Sequence, residues 1–124
     1  MAAGRGARAV PYSKRLPKVL FEIDSVSLLE RNIKIMSELL KLSEIIVIIG
    51  YMNEIIEDKI NDISKDIKAK IYTKKIDDNY LNLGLLGGIA SLTDIKSQLN
   101  DKFIMTLGDE FFLNPDHDKM LMMI

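Results

Sequence analysis

The 124 residues read as an α/β chain with a mainly parallel sheet. Three observations predict that class. Glu44 to Ile49, E-I-I-V-I-I, is β-branched and continuously apolar, the composition of a strand covered on both faces. Helical patterns precede and follow it, as parallel strands need helical crossovers between them. A second apolar run, Phe103 to Leu107, arrives after another helical pattern and is followed at once by Gly108-Asp109.

Taken in order, Val19 to Ile23 is a short apolar-rich segment expected to be extended, ending at Asp24-Ser25. Ser27-Leu28-Leu29-Glu30 has the form of a capping box, in which Ser and Glu side chains satisfy the free N–H groups of a helix start. The helix then runs to about Lys41, with Leu29, Ile33, Met36 and Leu40 on one face. Strand 44–49 follows and Gly50 ends it. A second helix covers about Asn53 to Ile63, with Ile56, Ile60 and Ile63 facing inward and acids in its first turn.

Ile67, Ala69, Ile71 and Thr73 alternate with Lys68, Lys70, Tyr72 and Lys74, which predicts a half-exposed strand. Asp77-Asp78-Asn79 predicts a loop. Leu85 to Gln98 is helical in pattern, although Gly87 and Gly88 weaken it. Phe103 to Leu107 predicts another buried strand, and Pro115 suits the first turn of a helix reaching Ile124. There is no internal repeat and no linker, so one domain with a modest core is expected.

Composition excludes several functions. The chain has no cysteine, which removes disulfides, thiolate catalysis and zinc–sulfur sites. It has no tryptophan and few aromatics, against a base-stacking platform. A net charge of −1 without a basic helical stripe argues against nucleic-acid binding. The longest aliphatic run, Ile45 to Ile49, is too short for a bilayer, and the N-terminus lacks the apolar core of a signal peptide. No nucleic-acid or membrane partner is expected, and the expected location is cytoplasmic.

The charge is unevenly spread. The first eighteen residues carry five basic groups (Arg5, Arg8, Lys14, Arg15, Lys18) and no acid, whereas the remainder holds 12 basic and 18 acidic groups, a net of −6. The same stretch, A-A-G-R-G-A-R-A-V-P-Y-S-K-R-L-P-K, places Gly4 and Gly6 two apart, then Arg8, then Pro17-Lys18. Glycine allows close backbone approach to a ligand, and successive N–H groups in such a loop can form an anion cradle. Arg8 can grip phosphate oxygens in a fork. The pattern indicates a polyphosphate site, with a disordered basic tail as the bland alternative. Gly4, Gly6, Ala9 and Asp24 also match a dinucleotide fingerprint, but Pro11 and Pro17 would break the helix that fingerprint requires.

AAGRGAR followed by LPKVLFEI and SLLER resembles the opening of the sugar-nucleotide pyrophosphorylases, the sugar-1-phosphate nucleotidyltransferases, with glucose-1-phosphate thymidylyltransferase as the most common type. Ala7 departs from the family's Ser or Thr, which removes one hydroxyl contact to phosphate. The resemblance implies a Rossmann-like, mainly parallel sheet flanked by helices, of the nucleotide-diphospho-sugar transferase type. It implies that residues 1–124 are the N-terminal, nucleotide-binding part of a longer domain truncated at both ends, inactive alone. The apolar strand before the loop would precede Met1, and a second metal carboxylate and most of the sugar pocket would follow Ile124. Unpaired strand edges would then leave the fragment marginal or driven to associate, homo-oligomers included.

The resemblance also implies roles. Ala3, Gly4, Arg5, Gly6 and Gly84 would bind the nucleotide. Arg8 would sit against the β- and γ-phosphates, Lys18 would stabilise charge at the α-phosphate, and Asp109 would bind catalytic Mg²⁺. The partners would be an NTP and a sugar 1-phosphate, with pyrophosphate released. Gly84-Leu85-Leu86-Gly87-Gly88 resembles the segment that meets the base, and Gly87 stands where a Gln is frequent. Asn79 and Asn82 read as turn residues, Glu110 as solvated at a helix start, and His117 as a surface residue between Asp116 and Asp118. Two alternatives stay open: a choline-phosphate cytidylyltransferase of the same fold, and a non-catalytic nucleotide-binding or interaction module.

Overall fold

The computed structural model describes residues 1–3, 12 and 15–111. Gly4, Arg5, Gly6 and Arg8, the helix expected from Pro115 and His117 lie outside the described residues.

After the buried Pro17, the chain makes a 3₁₀ turn, Lys18–Leu20, closed by hydrogen bonds from Leu20 N to Pro17 O and from Phe21 N to Lys18 O. This corrects the extended reading at Val19 and Leu20, whereas Phe21 to Ile23 is extended as expected. Proline fixes φ at the start of the turn, and Val19 and Leu20 then point into the core. Strands β1 (Glu22–Ile23) and β2 (Val26–Ser27) form a short antiparallel hairpin. Its two turn residues, Asp24 and Ser25, both have positive φ (51° and 64°), the handedness that matches strand twist in a two-residue hairpin.

Helix α1 (Leu28–Lys34) starts where the capping box predicts, with Ser27 Oγ accepting from Glu30 N at 3.2 Å. The Glu30 carboxylate does not complete the box. It pairs with Lys34 at 2.9 Å and Lys59 at 3.5 Å. The helix widens into a π turn, Ile35–Leu39, and stops at Lys41, which takes a positive φ of 53°. Strand β3 (Glu44–Ile49), helix α2 (Asn53–Ser64) and strand β4 (Lys70–Lys75) form one right-sized crossover unit, with β3 and β4 parallel from Glu44↔Lys70 to Ile49↔Lys75. β4 begins three residues later than the alternation suggests. Ile67 and Ala69 pack into the core ahead of it, and its lysines protect what is an edge among the described residues.

Asp77-Asp78-Asn79 is not a loop: Asp77 Oδ1 accepts from Asn79 N at 2.8 Å and caps the single turn α3 (Asp78–Leu81). α4 (Gly84–Ile95) follows and ends in a 3₁₀ turn, Lys96–Gln98. Packing needs the first of its two inner glycines: a Cβ on Gly87 would collide with the Tyr80 carbonyl, whereas one on Gly88 would meet only the flexible tip of Met1.

β3 is the hub. Ile45, Val47 and Ile49 meet Leu29 and Ile33 of α1 and Ile56, Ile60 and Ile63 of α2. Ile48, on the opposite face, meets Ile95 of α4, Ile76 and Ala3. Helices thus cover both faces, and full burial of an Ile contributes about 1.5–3 kcal/mol. The fold is mixed α/β, and the described residues form two two-stranded sheets, one parallel and one antiparallel.

Residues 1–3 lie along the other edge of β3. Ala2 N donates to Ile48 O at 2.7 Å, and Ala2 bridges Ile49 in parallel. On their far side the Met1 ammonium donates to Thr106 O at 2.8 Å, and Gly108 N donates to Met1 O at 2.7 Å. Residues 103–107 form no strand, which corrects the expected buried strand. Phe103 and Met105 are 53% and 48% exposed, because the run is hydrogen-bonded to Met1 only at its upper end.

Candidate active site

Lys18 and Asp109 stand together. The Lys18 Nζ lies 2.9 Å from Asp109 Oδ2, with both side chains partly open to solvent (44% and 33%). Each is aimed by its own local structure. In the 3₁₀ turn, the burial of Val19 and Leu20 leaves Lys18 on the outer side. Asp109 sits just past the hydrogen bond that ties Gly108 to Met1. Gly108 must be glycine there, since a Cβ would lie 2.8 Å from the Met1 carbonyl and 3.1 Å from Val19 Cγ1.

Asn32 completes the support. Its side-chain amide donates to Gly108 O at 3.1 Å and to Glu110 O at 3.0 Å, so one side chain holds the carbonyls on both sides of Asp109. Its neighbour Arg31 stacks over the Phe111 ring, 4.3 Å from the centroid. Sequence reading missed Asn32. The available signal was a polar residue on the apolar face of α1, beside Leu28, Leu29 and Ile33, all buried. Buried amides are hydrogen-bonded, so such a residue has a partner to find.

The remaining expected site residues divide. Ala3 is buried, its carbonyl accepting from Tyr51 N at 3.3 Å, and it lies two residues beyond Met1 at the carboxyl end of β3. Gly84 opens α4 with φ of 56° and nothing within 4 Å of where a Cβ would be, so it faces open space. It is one helical turn from Gly88, which touches Met1. No contact joins Gly84 to the Lys18–Asp109 pair among the described residues. Glu110 is half-buried, with Oε2 3.5 Å from Thr106 Oγ1, rather than solvated at a helix start. The α-ammonium of Met1 is held below its usual pKa by burial, and the negative charges of Asp109 and Glu110 oppose that shift.

The arrangement offers a lysine cation and a carboxylate in contact, at the carboxyl end of the parallel pair, where open α/β sheets bind ligands. Among the described residues no group of three or more His, Cys, Asp or Glu side chains could hold a metal ion, and no helix is long and apolar enough to cross a membrane. Comparison with protein-family models, with curated proteins and with solved structures gave no match to this chain.

Proposed function

We propose that this chain is the nucleotide-binding part of a sugar-1-phosphate nucleotidyltransferase, with a Rossmann-like sheet of which β3, β4 and residues 1–3 are members. The observation that carries the reading is the 2.9 Å contact between Lys18 and Asp109. The two lie far apart in sequence, and the nucleotidyltransferase resemblance assigns both to the reacting phosphate. Their meeting beside Gly108 supports that assignment.

The reaction joins a sugar 1-phosphate oxygen to the α-phosphorus of an NTP and breaks the bond from that phosphorus to the α,β-bridging oxygen, releasing pyrophosphate. It needs no protein nucleophile, only positioning and charge stabilisation. Lys18 moves from Asp109 onto the α-phosphate oxygens, where negative charge develops. The backbone of Gly4 and Gly6 holds the triphosphate, and Arg8 neutralises the departing pyrophosphate. Asp109 suits Mg²⁺, because it presents a hard oxygen donor that is one-third exposed, and Mg²⁺ takes one or two carboxylates with phosphate oxygens and water. When bound, Mg²⁺ would supply Lewis-acid polarisation of the phosphate.

The test is a calorimetric titration of the five common nucleoside triphosphates, with and without Mg²⁺, into the folded chain and its Lys18→Met and Asp109→Asn variants. The parent chain should rank the bases. Lys18→Met should weaken binding about 10-fold to 100-fold, the value of a charged hydrogen bond. Asp109→Asn should remove the Mg²⁺ dependence. A folded parent chain that binds none of the five, or variants that bind like the parent, would sink the reading.

A further inference from the structure

We infer that the Lys18–Asp109 ion pair is a latch opened by a divalent cation: a cation arriving at Asp109 displaces the Lys18 ammonium and so frees it for phosphate. The inference rests on the proposed nucleotidyltransferase reading and adds a device by which the metal readies that site.

The pair occupies both groups at once. Lys18 Nζ stands 2.9 Å from Asp109 Oδ2, on the carboxylate that the metal would take. Mg²⁺ binds carboxylate oxygens at about 2.0–2.1 Å. An ammonium and a divalent cation drawn to one carboxylate repel each other at that range and compete for its charge. Phosphate, in turn, must draw Lys18 away from a full negative charge. Among the described residues Asp109 is the only acid paired with Lys18, so the displaced ammonium has no second carboxylate already in place to hold it.

The surroundings decide which partner moves. The backbone on each side of Asp109 is tied down, by Gly108 N donating to Met1 O at 2.7 Å and by the Asn32 amide donating to the carbonyls of Gly108 and Glu110. The Lys18 backbone is fixed as well, in a 3₁₀ turn anchored by the buried Val19 and Leu20. The flexible part is the four-carbon stem of Lys18, which is partly open to solvent and can swing without disturbing the core. Partly exposed ion pairs are weak, so this one opens readily and couples cation to phosphate by up to about 5-fold.

The experiment follows the Lys18 ammonium by nitrogen-15 NMR in the full chain, its signal assigned through Lys18→Arg, while Mg²⁺ alone is titrated in. The Asp109 carboxylate carbon reports the metal independently. Mg²⁺ should shift that carbon and mobilise the Lys18 ammonium at the same half-saturating concentration, whereas potassium chloride of equal ionic strength should do neither. Lys18→Met should bind Mg²⁺ about 2-fold to 5-fold more tightly than the parent chain, the range such a pair allows. Lys18→Arg, which keeps a cation beside Asp109, should bind Mg²⁺ as the parent does. A Lys18 ammonium that stays ordered on Asp109 while the carbon reports bound Mg²⁺ would overturn the latch and leave the nucleotidyltransferase reading standing. Equal mobilisation by potassium chloride, or a Lys18→Met chain that binds Mg²⁺ no more tightly, would overturn it too. An Asp109 carbon that ignores Mg²⁺ would overturn the latch together with the metal assignment of Asp109. Nucleoside triphosphates are absent throughout, so failure of the latch and failure to bind nucleotide are told apart.

Discussion

The side-chain amide of Asn32 donates to the carbonyl of Gly108 at 3.1 Å across 76 residues of sequence, and the same amide reaches the carbonyl of Glu110. One residue of α1 therefore sets the backbone path through Asp109. Asn32→Ala leaves two carbonyls without their donor and should cost about 1–3 kcal/mol in urea denaturation. Asn32→Asp should cost more at neutral pH, because a carboxylate faces both carbonyl oxygens. Equal stability of Asn32→Asp and the parent chain would refute the clamp.

The Lys18–Asp109 bridge is partly exposed, so its weight in folding is small even if its weight in binding is large. Lys18→Met should shift folding stability by no more than about 1 kcal/mol, the range of surface ion pairs. A loss of several kcal/mol in thermal or urea unfolding would make the pair structural instead.

The two helix glycines should respond differently to the same change. Gly87→Ala puts a methyl against the Tyr80 backbone carbonyl, which cannot step aside, and should cost about 2–3 kcal/mol. Gly88→Ala meets only the flexible end of Met1 and gains about 1 kcal/mol of helix propensity, so it should stay within about 1 kcal/mol of the parent. Parallel chemical denaturation of the two variants checks the order.

Glu30 is held below its usual 4.5, first by its hydrogen bond from Lys34 and then by the charges of Lys34 and Lys59. A carboxylate lowered on folding gives stability that is complete above its unfolded value and lost as pH falls through its folded value. The stability difference between the parent chain and Glu30→Gln should therefore be constant above about pH 5.5 and shrink below pH 4.5. Denaturation midpoints from pH 3 to 7 measure it, and a gap that widens on acidification would contradict the pairing.

Much of the framework was legible in the chain itself. Strand 44–49, the two helices beside it and the Ser27 cap follow from local rules: β-branched runs extend, apolar residues at helical spacing bury one face, and a hydroxyl caps free N–H groups. The Gly108-Asp109 and Pro17-Lys18 pairs stood out through the resemblance to the sugar-nucleotide pyrophosphorylases, whose motifs they match. The hairpin at Asp24-Ser25 was not legible, because neither residue is the glycine that usually marks positive φ in that turn. Nor was the exposure of Phe103 and Met105, because an apolar run becomes a buried strand only if partners lie along it.

Sequence by itself determined the α/β character, the burial of β3 on both faces and the residue types able to handle phosphate, since each depends on neighbours within a few positions. Only the tertiary structure decided that Lys18 meets Asp109, that Asn32 holds the backbone around it, that Gly108 must admit the Met1 carbonyl, and that a cavity remains beside β3. These are contacts between segments far apart in the chain. They arise from how the helices pack on β3, and no local pattern encodes the distance between two side chains that meet only after that packing.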